Sequence, residues 1–300
     1  MKDITFTSHG SRCAAWHLTG NDTSVGRPCV VMAHGFGGTR DTGLLGYAET
    51  FAGAGLDVLV FDYRGFGDSE GTARQDVSVR RQRQDYHSAV AAARLLPGVD
   101  PHRIVLWGTS YSGGHAVAVA AQDRHIAAVV SMTPAMDGLA TLRHLVRCAG
   151  VGQLARVAGH GLVDAARTLT SSAPHHVPIV GPPGSAAIMT NPGAEEAYAS
   201  AAGPSWRNEV RARTALTVGL NRPIRYARRL PCPILIQAGS NDHVAPPEAA
   251  RAVAVKAGAR AQLREYPVDH FDVYDGPWQQ RLSADQLEYL AGVLAESAAL

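Results

Sequence analysis

Cysteine is scarce in this 300-residue chain: Cys13, Cys29, Cys148 and Cys232 stand far apart, with no C-x-x-C spacing. That argues against a disulfide framework or a zinc ribbon and leaves buried free thiols as the expectation. Long apolar runs are missing too. None approaches the roughly 18 residues of a membrane span, and the opening MKDITFTSHG has no apolar signal segment, so a cytoplasmic protein without a membrane span is expected. Charge of one sign is also lacking, with 28 Lys and Arg against 26 Asp and Glu. The densest basic stretches, Arg80-Arg81-Gln82-Arg83 and Arg225 to Arg229, read as solvated helix faces, and no nucleic-acid partner is expected. No G-x-G-x-x-G follows a first strand and no cluster has metal-ligand spacing, so neither a cofactor nor a metal is expected.

With 46% hydrophobic and 18% charged residues, the chain can bury a large core. Short β-branched runs lie at Ile4 to Ser8, Cys13 to Leu18, Cys29 to Ala33, Val58 to Asp62, Ile104 to Trp107, Ile126 to Ser131, Ile234 to Gln237 and near Gln262 to Tyr266. Most are apolar without alternation, as strands covered on both faces should be. Helical patterns separate the later ones: Gly43 to Ala54, Val77 to Leu95, Gly113 to Gln122, Pro247 to Ala257 and Ala284 to Ala298. This is the pattern of an α/β protein with a mostly parallel twisted sheet flanked by helices, opened by two strands that can pair as a hairpin.

The alternation breaks once, from about Pro134 to Arg229. Helical patterns at Gly138 to Ala149 and Val151 to Leu169 precede a proline-rich piece, and another helical pattern runs from Trp206 to Val218. A structureless loop of that length is foreign to a compact domain. A helical lid is therefore expected over residues 134–229, with residues 1–133 and 230–300 forming the core.

Between the fifth strand and its helix stands Gly108-Thr109-Ser110-Tyr111-Ser112-Gly113, close to G-x-S-x-G. A serine on such a strand-to-helix turn has its hydroxyl pushed out above the sheet, and small neighbours relieve the crowding. Ser112 stands where the second glycine is usual. The loop His34-Gly35-Phe36-Gly37-Gly38 follows an early strand, and the N–H groups of Phe36 and Tyr111 are candidates for an oxyanion hole. Asp242 follows the strand Ile234 to Gln237, and His270 follows the last one. Ser110, Asp242 and His270 thus occur in the order that a nucleophile-elbow sheet requires, each on a loop at one edge. Asp269 and Asp272 compete less well as partners for the histidine. His34 reads as a loop scaffold and Asp62 as a tie for the Arg64-Gly65 loop.

The segments HGFGG, FDYRGFGDSEG, GTSYSGGH, GSNDHVAPP and DHFDVY, in this order, resemble the α/β-hydrolase superfamily over the whole chain. GTSYSGGH together with VPIVGPPGSAAIMT and PSWRNEVRAR is similar to the branch of polyketide transferases and related biosynthetic hydrolases. The resemblance implies the α/β-hydrolase fold and a Ser110-His270-Asp242 triad acting without a cofactor. It implies acyl transfer from an ester or thioester, to water or to a second nucleophile in an acyltransferase or cyclase; a ligand-binding protein on the same fold is the other alternative. The insertion carries apolar side chains at Leu139, Leu142, Leu145, Val146, Leu154, Val157, Leu162, Val163, Ile179, Ile188, Met189, Tyr198 and Trp206; part of this surface serves the lid's own packing, and the remainder, with Met189 and Trp206 as the pocket candidates, is expected to line a pocket for a small-molecule acyl substrate.

Overall fold

The computed structural model describes residues 1–22 and 26–298. Six strands come first: β1 (Lys2–Ser8), β2 (Ser11–Leu18), β3 (Arg27–Ala33), β4 (Asp57–Phe61), β5 (Val99–Thr109) and β6 (Ile126–Met132). A short antiparallel ribbon, β7 (His176–Val177) and β8 (Val210–Arg211), is followed by β9 (Ile234–Gly239) and β10 (Ala261–Tyr266). The main sheet has eight strands in the order β1-β2-β4-β3-β5-β6-β9-β10. β1 and β2 pair as an antiparallel hairpin, β2 is antiparallel to β4, and every other neighbouring pair is parallel.

The unalternating apolar strands are explained by two covers. On β3, Cys29, Val31 and Ala33 face one core, while Val30 and Met32 face another; β4 and β5 divide in the same way. The first core is closed by α2 (Val79–Ala93), α3 (Tyr111–Ala120) and α6 (Pro247–Ala257), the second by α1 (Leu45–Gly53) and α7 (Gly276–Ala298). Each large apolar side chain so buried contributes about 1.5–3 kcal/mol, so a strand between two helical layers must be apolar at every position. The last helix begins eight residues before the expected start at Ala284. Pro277 sits in its first turn, where a missing N–H does no harm, and the polar run from Gln279 to Arg281 hid that turn from the sequence pattern.

Between β6 and β9 the chain leaves the sheet. α4 (Gly138–Leu169) is two helices joined at Gly150, whose φ of +81° breaks the helical path and separates the two stretches read from the sequence. α5 (Ala194–Ala201) is too short to give a periodic signal. The helix expected from Trp206 to Val218 does not form. Residues 212–216 and 218–220 are 3₁₀ turns after β8, because tertiary partners take the amides: Arg211 N–H donates to the Gln75 carbonyl at 2.7 Å and Ala212 N–H to that of His175 at 2.9 Å.

Candidate active site

Loops at the carboxyl edge of the sheet converge on Ser110. This residue turns β5 into α3 with φ +54° and ψ −117°, a conformation rarely open to a residue with a side chain. The turn is that tight because α3 starts directly over the strand end: a Cβ on Gly108 would collide with the Ser112 carbonyl. Backbone bonds lock it. Ser110 N–H donates to the Met132 carbonyl at 2.9 Å, and the Ser110 carbonyl accepts from Gly113 and Ala135 N–H at 3.1 and 2.9 Å. Ser112 is structural in its contacts, donating to the Ala33 carbonyl at 2.6 Å and accepting from Thr109 N–H at 3.0 Å. It ties the elbow to the end of β3.

His270 lies on the loop after β10. Its Nε2 is 3.0 Å from Ser110 Oγ and its Nδ1 is 2.7 Å from Asp242 Oδ2. The other oxygen of Asp242 accepts from the N–H groups of Val244 and Ala245 at 2.8 and 2.6 Å, which fixes the carboxylate in one orientation. The two loops are joined through Ser240 N–H to the Tyr266 carbonyl and Asn241 N–H to that of Val268. Ser110, Asp242 and His270 are all buried, at 7%, 4% and 2% exposure. A hydroxyl, an imidazole and a carboxylate in this line can pass a proton from serine to histidine while the acid holds the ring. Asp269 turns away from that ring: its carboxylate accepts from His243 N–H and His270 N–H and pairs with His243 Nδ1 at 3.0 Å. Asp272 accepts from Asp269 N–H.

Phe36 and Tyr111 stand beside Ser110, their rings edge to face at 5.5 Å. Tyr111 opens α3, where a first-turn N–H has no intrahelical acceptor. Among the described residues no protein acceptor takes the Phe36 N–H. The Phe36 carbonyl accepts from the Tyr198 hydroxyl at 2.9 Å, so α5 holds this loop from above. Asp62 ties Arg40, through Oδ1 to its N–H and Oδ2 to its guanidinium, both at 2.6 Å; Arg64 pairs with Asp85 instead.

An apolar cavity opens over Ser110. Leu142, Leu145, Ile188, Met189 and Val218 line it, with Phe271 and Tyr274 from the His270 loop. Trp206, expected in the pocket with Met189, does not line it: it stacks on Tyr198 at 4.9 Å, and Tyr198 presents the inner surface. Cys148 departs from the expectation of buried thiols. It is exposed at the cavity wall, 3.6 Å from His144 Nε2, whereas Cys13, Cys29 and Cys232 are buried. Asn221 and Thr42 also line the cavity and carried no sequence signal, because they come from segments with no motif; Tyr274, which closes the DHFDVY segment, lines it as well.

His34 is fully buried behind the Phe36 loop, its Nδ1 3.0 Å from the Gly35 carbonyl. Burial pushes its pKa down to about 4. An unfolded histidine takes its proton near 6.5, so between about 6.5 and 4 the unfolded chain binds the extra proton and stability falls as pH falls. The full effect is on the order of 3 kcal/mol. Asp62, whose burial raises its pKa to about 6, acts in the opposite sense, so the readout is a difference. Urea unfolding at pH 7.5 and pH 5 should show wild type losing about 2 kcal/mol more than His34→Asn, which keeps a donor for Gly35 but cannot titrate. Equal losses in the two proteins would show that His34 is not buried neutral.

An eight-stranded, mostly parallel sheet with a strained serine elbow at its carboxyl edge defines an α/β hydrolase. The chain belongs to the serine aminopeptidase S33 family, whose model matches residues 26–268, and it is an enzyme of the α/β-hydrolase class. It is 35% identical over 294 residues to the quorum-quenching protein AidA of Acinetobacter baumannii (strain MDR-ZJ06), covering 97% of this chain and 95% of that one. Over 110 residues it is 41% identical to the thiohydrolase aneE of Aspergillus aculeatus, 37% of this chain and 35% of that one. Polyketide transferase grgF of a Penicillium species is 32% identical over 136 residues, 45% of each chain. The solved structure of the α/β hydrolase GrgF from Penicillium sp. sh18 superposes with a TM-score of 0.82 at 24% identity, over 98% of this chain and 99% of that one.

Proposed function

We propose that this protein is a serine hydrolase that cleaves ester or thioester bonds of apolar small-molecule acyl substrates. The observation that carries the proposal is the line from Ser110 Oγ to His270 Nε2 (3.0 Å) and from His270 Nδ1 to Asp242 (2.7 Å), on the floor of an apolar cavity. In this mechanism His270 takes the Ser110 proton as the oxygen attacks the acyl carbonyl. Asp242 stabilises the imidazolium, and the N–H groups of Phe36 and Tyr111 receive the oxyanion. The tetrahedral intermediate expels the alcohol or thiol, which takes the proton from His270. Water, deprotonated by His270, then releases the acid. Residues 134–229 act as a lid that closes the site, and the substrate is an apolar small molecule, in keeping with relatives named as a quorum-quenching protein and a thiohydrolase.

An aminopeptidase activity, which the family name suggests, fits less well. Among the described residues no Asp or Glu lines the cavity to receive a peptide's α-amino group. Acyl transfer to a substrate hydroxyl or amine is the second reading. It is favoured by the burial of Ser110 beneath the insertion, which limits water, and by the relative named a polyketide transferase. Intact-protein mass spectrometry with a panel of thioesters tests the common step: an acyl adduct on Ser110 is expected, and its decay products with and without an added nucleophile separate hydrolysis from transfer. Absence of any adduct in single-turnover mixing would leave a ligand-binding protein on this fold.

The apolar wall sets a chain-length preference. Each methylene buried against Leu142, Leu145 and Val218 contributes up to about 0.8 kcal/mol. Extending p-nitrophenyl esters from acetate to hexanoate should raise kcat/KM by about one to two orders of magnitude. Leu145→Trp should move the optimum to shorter chains. A steady fall from acetate onward, or peptide hydrolysis faster than ester hydrolysis, would remove the apolar-pocket reading.

A further inference from the structure

The sequence divides the apolar side chains of the insertion between lid packing and pocket lining, yet several serve neither. Among the described residues ten large apolar side chains are exposed, and seven of them lie between residues 139 and 220. Single exposed apolar residues are ordinary, but a group of them on one element marks a surface that meets something. Val151, Leu162 and Leu169 are 66%, 62% and 89% exposed. In the helix that follows Gly150 they stand eleven and seven residues apart, about three turns and two. They therefore share one line, roughly 27 Å long, with the exposed Ala155 and Ala166 between them. The residues this helix packs into the lid, Gln153, Val157, Gly161 and Asp164, lie on its other side. Leu216, also exposed, packs against Gly161 and widens the apolar surface.

Charge decides what covers this surface. α4 carries Arg143, Arg147, Arg156 and Arg167, all exposed. Its one acidic residue, Asp164, is buried and accepts from the N–H groups of His175 and Arg213. Among the described residues only Arg147 of the four arginines has a carboxylate within ion-pair reach, that of Glu248 at 3.5 Å. A second copy of the same face would bring arginines against arginines, an arrangement that like-charge repulsion disfavours. An apolar line with cations beside it and no exposed anion is complementary to a layer that is anionic outside and apolar beneath.

We infer that the outer face of α4 is a membrane-docking surface, by which the protein binds reversibly to bilayers containing anionic phospholipid, with the lid toward the lipid. Val151, Leu162 and Leu169 enter the boundary between headgroups and acyl chains. The arginines reach lipid phosphates at the ends of long apolar stems. The first half of the same helix supplies Leu142 and Leu145 to the cavity over Ser110, so docking sets the cavity wall beside the bilayer. The inference stands apart from the assignment of the nucleophile, since none of the docking side chains lines the cavity.

The test is co-sedimentation of the full chain with extruded vesicles, either of phosphatidylcholine alone or of phosphatidylcholine and phosphatidylglycerol in equal parts. The partition coefficient for the mixed vesicles should be about tenfold or more above that for phosphatidylcholine, and it should fall as salt is raised. Leu162→Ser combined with Leu169→Ser should lower it about tenfold, and Arg156→Gln combined with Arg167→Gln should do the same. All four side chains are exposed, so both variants should keep the wild-type thermal unfolding, and the comparison of lipids and salts needs no variant at all. Equal binding to the two kinds of vesicle, or none, overturns the docking surface. So does binding that both variants leave within about twofold of wild type, because other basic stretches would then be responsible. A dimer in sedimentation velocity that the leucine variant dissolves, without vesicle binding by wild type, gives the face to a second copy. Retention on immobilised polyglutamate without vesicle binding gives it to an acidic protein; either result overturns the lipid assignment.

Discussion

Ser110→Ala should abolish labelling by a fluorophosphonate and lower ester turnover by about six orders of magnitude, while the folded state stays intact. The effect is this large because the members of such a constellation act as a unit: without the Oγ, His270 has no proton to accept and no acyl-enzyme forms. The fold should be indifferent to the change. Ser110 Oγ has its hydrogen bond with His270 Nε2, while the elbow is held by main-chain bonds from Gly113, Ala135 and Met132 that alanine retains. Circular dichroism and thermal unfolding check the fold, and mass spectrometry counts the label. A label that persists in the variant, or turnover reduced only a few fold, would place the nucleophile elsewhere.

Asp242→Asn should lower kcat by about four orders of magnitude. Asp242 Oδ2 accepts from His270 Nδ1, and Oδ1 is occupied by the N–H groups of Val244 and Ala245. In the asparagine variant those two donors hold the amide oxygen in place and leave the NH₂ facing Nδ1. The imidazole must then carry its proton on Nε2, the atom that has to receive the Ser110 proton. Asp269→Asn provides the contrast. Its side chain serves His243 and loop amides, so the change should cost no more than about tenfold. Steady-state kinetics on one ester decides between the two acids, and a larger loss at Asp269 would reverse the assignment.

All eight strands of the main sheet were legible in the sequence, the inner ones because a strand covered on both faces must be apolar at consecutive positions, as at Val30 to Met32 or Val58 to Val60, and the partly exposed edge strands β1 and β10 from short runs at the two ends of the pattern. The elbow was legible for a local reason as well: only small residues fit where α3 starts over the end of β5. Legibility failed where distant groups decide the backbone. The stretch from Trp206 to Val218 has a helical pattern, yet Gln75 and His175, more than 30 residues away in the chain, capture its amides. Trp206 was named for the pocket as one of the apolar side chains of the insertion, but Tyr198 occupies the inner position and leaves it the second layer.

The order of Ser110, Asp242 and His270, their placement at one sheet edge and the two-sided core follow from local spacing and from burial, which act along the chain. Tertiary structure supplied what holds the acid that the sequence already favoured, because a loop's side-chain directions depend on the bonds that pin it: Val244 and Ala245 pin the Asp242 carboxylate, and His243 draws off that of Asp269. It also decided the fate of Arg83. A run of arginines on a helix reads as solvent-facing, and only the packing of residues 221–226 against α2 turns one of them toward the cavity, since the hydrogen-bond acceptors that hold it lie more than 130 residues away in the chain.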